Sequence, residues 1–235
     1  MQLLLISSSF ASGHEFLGHC KEDITELLEH SPNDDTILMI PYAKTEDRRA
    51  DYTDRARDYF ADLGQKLVSI DEFSEPVSCI SSADYKAIFI PGGNAFLLVK
   101  TLQDNGLIEP IRSAVQNKVS YIGISAGTNV ACPTMQTTND MPIVYPSSFD
   151  ALGLINFQIN AHYVPGSLVA SHHGETHEQR IEEYQRLNKR TVIGLPEASW
   201  IRVDDDKTLL SGAENAVIFE PDQQPRQWDL GSYLL

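Results

Sequence analysis

Basic residues are scarce: 18 Lys and Arg stand against 33 Asp and Glu, a formal net charge of −15 over 235 residues. A field of that sign repels nucleic acid and anionic membranes unless a local basic patch overcomes it, and no run of Lys or Arg supplies one. Cysteine is scarcer still. Cys20, Cys79 and Cys132 are the three, more than fifty residues apart, which excludes CxxC metal or redox motifs and argues against a disulfide framework. Long apolar runs are absent, none approaching the ~18 residues that a membrane span needs. The opening MQLLLISSSF has an apolar run of four residues and no basic stretch before it, so it is not expected to be a signal peptide. Repeats, low-complexity tracts and linkers are missing too. These absences lead us to expect one domain over residues 1–235, in a reducing compartment and therefore cytoplasmic.

What is present is a rhythm. Short apolar runs at Leu3–Ile6, Ile37–Ile40, Leu67–Ile70, Ala87–Ile90, Ser120–Ile124, Thr191–Leu195 and Ala216–Phe219 alternate with longer amphipathic stretches. Helical patterns cover His14–His30, Asp47–Leu63, Ala95–Leu102, Leu107–Gln116 and Glu175–Leu187. Continuous rather than alternating hydrophobicity marks strands covered on both faces, so the expected fold is α/β, an open and mostly parallel sheet with helices on both sides. In such sheets ligands bind beyond the carboxyl ends of the strands, which directs attention to the residues just after each apolar run.

Four of those places carry chemistry. In Tyr121-Ile122-Gly123-Ile124-Ser125-Ala126-Gly127-Thr128-Asn129 a buried strand runs into Gly-x-Ser-x-Gly, the sharp strand-to-helix turn that exposes a nucleophile; the plainer alternative is a Gly-rich turn with a capping serine. In Phe89-Ile90-Pro91-Gly92-Gly93-Asn94 paired glycines leave amides at Gly92 and Gly93 uncovered, as an oxyanion hole requires, while Asn94 could simply cap the next helix. A serine hydroxyl needs a base. Of seven histidines, His162 in Gln158-Ile159-Asn160-Ala161-His162-Tyr163 stands like a strand-end residue, whereas His14, His19 and His30 read as surface or structural. Two acids compete to orient it: Glu197, after Thr191–Leu195 and Pro196, and Asp140 in the loop after the serine. Glu197 is narrowly preferred, with Asp140 left to anchor its loop or meet a substrate ammonium.

At these places the sequence resembles peptidase E, the aspartyl dipeptidase family of serine peptidases. The matching stretches are MQLLLISSS, PGGNAF, YIGISAGTNVACPTMQTTNDMPIV, QINAHY, GETHEQRIEE and GLPEASW, spread from residue 1 to about residue 203. The resemblance implies a flavodoxin-like fold of the class I glutamine amidotransferase type with serine as nucleophile. It also implies hydrolysis of dipeptides with N-terminal L-aspartate, without metal or cofactor. It makes Ser125 the nucleophile and His162 the base, and leaves the third place open between Asp140 and Glu197. Amides of Gly92, Gly93 and Ala126 are the expected oxyanion donors, and Asn94, His173, His177 and Arg180 the expected substrate contacts. One departure stands out: bacterial members read Gly-Glu-Thr-Arg where this chain reads Gly174-Glu175-Thr176-His177, and carry lysine where His173 stands. Rival readings are a cyanophycinase-like peptidase and a non-catalytic metabolite binder on the same fold. An amidotransferase is disfavoured, since its chemistry uses cysteine at the elbow and Cys132 lies seven residues too late.

Overall fold

The strand Gln2–Ile6 (β1) shows why the chain folds as it does. Leu3 and Leu5 point into one hydrophobic cluster and Leu4 and Ile6 into another, all four fully buried. A strand apolar on both faces can be satisfied only inside a layered sheet. The computed structural model describes residues 1–31, 34–82, 85–166 and 174–234. After β1 come a 3₁₀ turn at Gly18–Cys20, a helix Lys21–Glu29 (α1), strand Asp34–Met39 (β2), helix Glu46–Ala61 (α2) and strand Lys66–Ser69 (β3). Helix Pro76–Ser82 (α3), strand Tyr85–Ile90 (β4), helices Ala95–Asp104 (α4) and Ile108–Gln116 (α5), strand Ser120–Ile124 (β5) and helix Ala126–Ala131 (α6) follow. The last third holds strand Gln158–Ala161 (β6), helix His177–Asn188 (α7) and strands Val192–Leu195 (β7), Ser199–Asp204 (β8), Lys207–Gly212 (β9), Ala216–Phe219 (β10) and Arg226–Trp228 (β11).

Among the described residues seven strands form one sheet in the order β3-β2-β4-β5-β1-β8-β9. The first five run parallel, and β8 and β9 join antiparallel. Helices α1 and α2 pack on one face, against Leu4, Ile37, Phe89 and Ile122; α3 to α6 cover the other, against Leu3, Leu38, Ile88 and Ile90. This is the mostly parallel, doubly covered α/β sheet read from the sequence. All seven strand candidates are strands.

Two expectations need correction. The runs near Thr191–Leu195 and Ala216–Phe219 do not extend the main sheet: β7 and β10 belong to a second, four-stranded sheet ordered β11-β10-β7-β6. The helix expected over His14–His30 begins later, because Leu17 takes a left-handed φ of 55° and regular helix starts only at Lys21. Helix α3 was not anticipated, and neither were strands β8, β9 and β11. The small sheet shares the main core through Ile159, Ile193, Leu195 and Ile218. The chain passes from it to the main sheet through Pro196–Ala198, between the end of β7 and the start of β8.

Candidate active site

Register brings the pieces together. Ile6 of β1 is paired with Ile124 of β5, and Ile90 of β4 with Gly123 of β5, so the residues after these strands emerge side by side at the carboxyl edge. In the small sheet Ala161 of β6 is paired with Leu195 of β7, so His162 and the Pro196–Glu197 step leave adjacent strands level with one another.

Ser125 sits on the turn between β5 and α6 with φ 50° and ψ −106°, a conformation that a residue with a Cβ holds only when its surroundings impose it. They do impose it. The Ser125 amide donates to the Ile6 carbonyl at 2.9 Å, and a Cβ at Gly127 would lie 2.0 Å from the Ile90 carbonyl oxygen, so helix and strand approach more closely than any side chain permits. The hydroxyl that results is partly exposed at the head of α6.

The imidazole of His162 joins this serine to an acid. Its Nε2 lies 2.8 Å from Ser125 Oγ and its Nδ1 2.9 Å from Glu197 Oε1. A carboxylate only accepts, so Nδ1 carries the proton and Nε2 is left free to accept from the serine hydroxyl. The His162 side chain is 40% exposed and that of Glu197 66%, so water competes for this acid more than for a buried one. A cavity of about 440 Å³ borders Glu197 on the side of His14, His19 and Trp200.

The other expected site residues have definite places. Asp140 makes its hydrogen bonds away from the imidazole: Oδ2 accepts from the Ala95 amide at 2.8 Å and from the Thr138 hydroxyl at 2.9 Å, at the start of α4. Asn94 caps α4, its Oδ1 accepting from the Leu97 amide at 3.0 Å while Nδ2 donates to the Met141 carbonyl at 2.8 Å. Gly92 faces the serine, for a Cβ there would stand 3.7 Å from Ser125 Oγ. At Gly93 a Cβ would lie 2.1 Å from the Ala43 carbonyl oxygen, so this turn tolerates only glycine. Ala126 opens α6, where helix amides have no partner four residues back. His177 Nδ1 accepts from the Val164 amide at 3.3 Å, and burial, aided by the neighbouring Arg180 charge, holds its pKa below the usual histidine range. That lowering favours the neutral ring, whose Nδ1 ties down the segment after His162. Arg180 is exposed on α7, and His173 lies outside the described residues.

Some participants were passed over in the sequence. Ser7 and Ser8 contact the His162 and Glu197 segments, and a triple serine directly after an apolar strand was their one signal. Lys44 stands beside the Gly93 turn through Ala43, its ammonium over the Tyr52 ring. Burial and the charges of Arg48 and Arg55 push its pKa down, opposed by Asp140. Cys132 is no alternative nucleophile, since burial drives its thiol up to about 12.

The sequence matches peptidase family S51 over residues 3–211. Peptidase E of Streptomyces coelicolor is 40% identical over 234 residues, covering all of this chain and 93% of that protein. A probable alpha-aspartyl dipeptidase of Drosophila melanogaster is 39% identical over 221 residues, 94% of this chain and 90% of that one. Among solved structures, a peptidase from an acI-B1 actinobacterium superposes with a TM-score of 0.72 at 18% identity, over 99% of this chain and 96% of the other, and so shares the fold. With the family match spanning most of its length and relatives this similar end to end, the chain belongs to peptidase family S51.

Proposed function

We propose that this peptidase hydrolyses dipeptides with an N-terminal L-aspartate through an aspartyl-enzyme, with Ser125 as nucleophile, His162 as base and Glu197 as the orienting acid. The observation that carries the reading is the unbroken line Ser125 Oγ–His162 Nε2, His162 Nδ1–Glu197 Oε1, at 2.8 and 2.9 Å. Asp140, bonded to the head of α4, takes no proton in this scheme and anchors the loop beside the site. The substrate class rests on the names of the relatives, peptidase E and probable alpha-aspartyl dipeptidase.

In the first step Ser125 Oγ bonds to the scissile carbonyl carbon as its proton passes to His162 Nε2. The carbonyl oxygen becomes an oxyanion received by the amides of Gly93 and Ala126, with Gly92 beside them; one such donor is worth roughly 10²–10³ in rate. His162 then gives the proton to the leaving nitrogen and the C–N bond breaks. Water, deprotonated by the same imidazole, attacks the ester and releases aspartate. In an acidic protein the substrate's carboxylates need local cations, and Lys44 and Arg180 are our candidates among the described residues. Among the described residues no helix is long and apolar enough to cross a membrane. Three free, buried thiols suit a reducing compartment, so we place the protein in the cytoplasm.

Hydrolysis of Asp-Leu, Glu-Leu, Asn-Leu and Ala-Leu by wild type and Ser125→Ala tests the reading. Asp-Leu alone should be cut, and only by the wild type; a broad appetite or an active Ser125→Ala variant would refute it.

A further inference from the structure

We infer that Ser7, backed by Ser8, is a positioning residue for this reaction: its hydroxyl sets where the His162 imidazole stands between Ser125 and Glu197. The inference rests on the triad proposed above and concerns residues to which the site chemistry gives no direct part.

Strand β1 ends between β5 and β8, at the seam between the two sheets. Its last residue and the two that follow, Ile6-Ser7-Ser8, each hold a different segment. The Ile6 carbonyl accepts from the Ser125 amide at 2.9 Å and from the Thr128 hydroxyl at 2.7 Å, which fixes the nucleophile's turn. Ser7 is fully buried; its Oγ accepts from the His162 amide at 2.8 Å and donates to the Leu195 carbonyl at 3.0 Å. One hydroxyl thus uses its donor and an acceptor position to tie the ends of β6 and β7 together, on the strands that deliver base and acid. Ser8, 5% exposed, accepts at Oγ from the Ala198 amide at 3.2 Å, next to Glu197.

The two held residues are under backbone constraint. His162 has φ 56° and Ala198 φ 59°, left-handed values that a residue with a Cβ keeps only while neighbours enforce them. An alanine at position 7 can neither accept from the His162 amide nor donate to Leu195. The His162 amide would lose its partner, the Leu195 carbonyl would keep only the Tyr163 amide at 3.1 Å, and the His162 backbone would be freed to relax toward ordinary φ. The ring would then leave its place between Oγ and the carboxylate. No contact with substrate is lost, so the effect belongs in kcat rather than in KM.

The test compares Ser7→Ala with Ser31→Ala. The control removes a similarly buried hydroxyl, 8% exposed and bonded to the Lys86 carbonyl at 2.9 Å, far along the chain from the site residues. We expect Ser7→Ala to cut kcat on Asp-Leu by about 100-fold with KM within about twofold, as a catalytic group displaced by about 1 Å would. Ser31→Ala should keep wild-type kcat. A second readout needs no substrate: the low-field proton resonance of His162 Nδ1–H on Glu197, assigned by its loss in His162→Ala. It should vanish or shift in Ser7→Ala and persist in Ser31→Ala. If Ser7→Ala does not fold, Ser8→Ala carries the same comparison, with an expected loss in kcat of about tenfold. A folded variant with wild-type kcat and an unmoved low-field proton overturns the inference. Should the wild type leave Asp-Leu uncut, the substrate reading fails and the proton resonance alone decides the positioning role.

Discussion

The reactivity proposed for Ser125 rests on its backbone. Held at φ 50° by the Ile6 carbonyl and the close approach of Gly127 to Ile90, it offers its hydroxyl to one imidazole nitrogen. Ser125→Ala needs no change in that backbone, so the variant should fold with unchanged thermal stability while turnover falls by at least about 10³-fold. The two acids separate by the same logic. Glu197→Gln keeps the shape but no longer fixes the Nδ1–H tautomer, and we expect a loss in kcat of roughly 10²–10³-fold, less than for a buried acid because Glu197 is 66% exposed. Asp140→Asn keeps an oxygen for the Ala95 amide and should cost less than about tenfold, a difference that steady-state kinetics on Asp-Leu reads directly. His177 supplies the pH prediction. Burial lowers its folded pKa below the unfolded value of ~6.5, so the stability tied to its neutral form is complete above that value and is lost as pH falls through the folded one. An NMR titration should place its midpoint below ~6.5; a midpoint at or above that value would mean that His177 is available as a cation for substrate.

At the scale of elements, strand register does the assembling. Parallel pairing of β6 with β7 sets Ala161 opposite Leu195, and His162 and Glu197 follow from that alignment. The α4 helix is the second device, its first amides tied to Asn94 and Asp140 so that the Gly92–Gly93 turn ahead of it is fixed. Asp140→Ala should therefore lower stability by about 1 kcal/mol, the ordinary value of a helix cap, measurable by urea unfolding. What the sequence made legible follows from burial. Strands such as Leu3–Ile6 and Ala87–Ile90, apolar on both faces, announce themselves, as does Ser125 after one such strand, while His162 is marked by its place after the alternating Gln158–Ala161. Hydrophobicity reports that a strand is buried and says nothing of its partner, which is why β7 and β10 could be found as strands but not assigned to a second sheet. Strands β9 and β11 are antiparallel edge strands with exposed polar residues, and β8 sets Ser199, Arg202 and Asp204 among its apolar residues, so their mixed patterns resemble loop. Ser7 and Ser8 gave only the faint signal of serines after an apolar strand, because their value lies in which distant backbone groups they meet.

For the whole molecule, two sheets meeting at one seam place the proposed nucleophile Ser125 on the larger and the proposed base His162 on the smaller, with the proposed acid Glu197 on the Pro196–Ala198 crossing between them. The chain as a whole carries a net charge of −15, while the proposed substrate is itself acidic. Long-range repulsion is screened within about 10 Å at 0.1 M salt, so kcat/KM for Asp-Leu should rise between low and physiological ionic strength. A fall instead would show that local cations such as Lys44 and Arg180 dominate the approach. The most direct test of the central claim is mass spectrometry of enzyme quenched in acid during turnover of Asp-Leu and then digested. An aspartyl ester on the peptide bearing Ser125, absent from Ser125→Ala, is the predicted result; steady product release with Ser125 unmodified and the variant still active would contradict it.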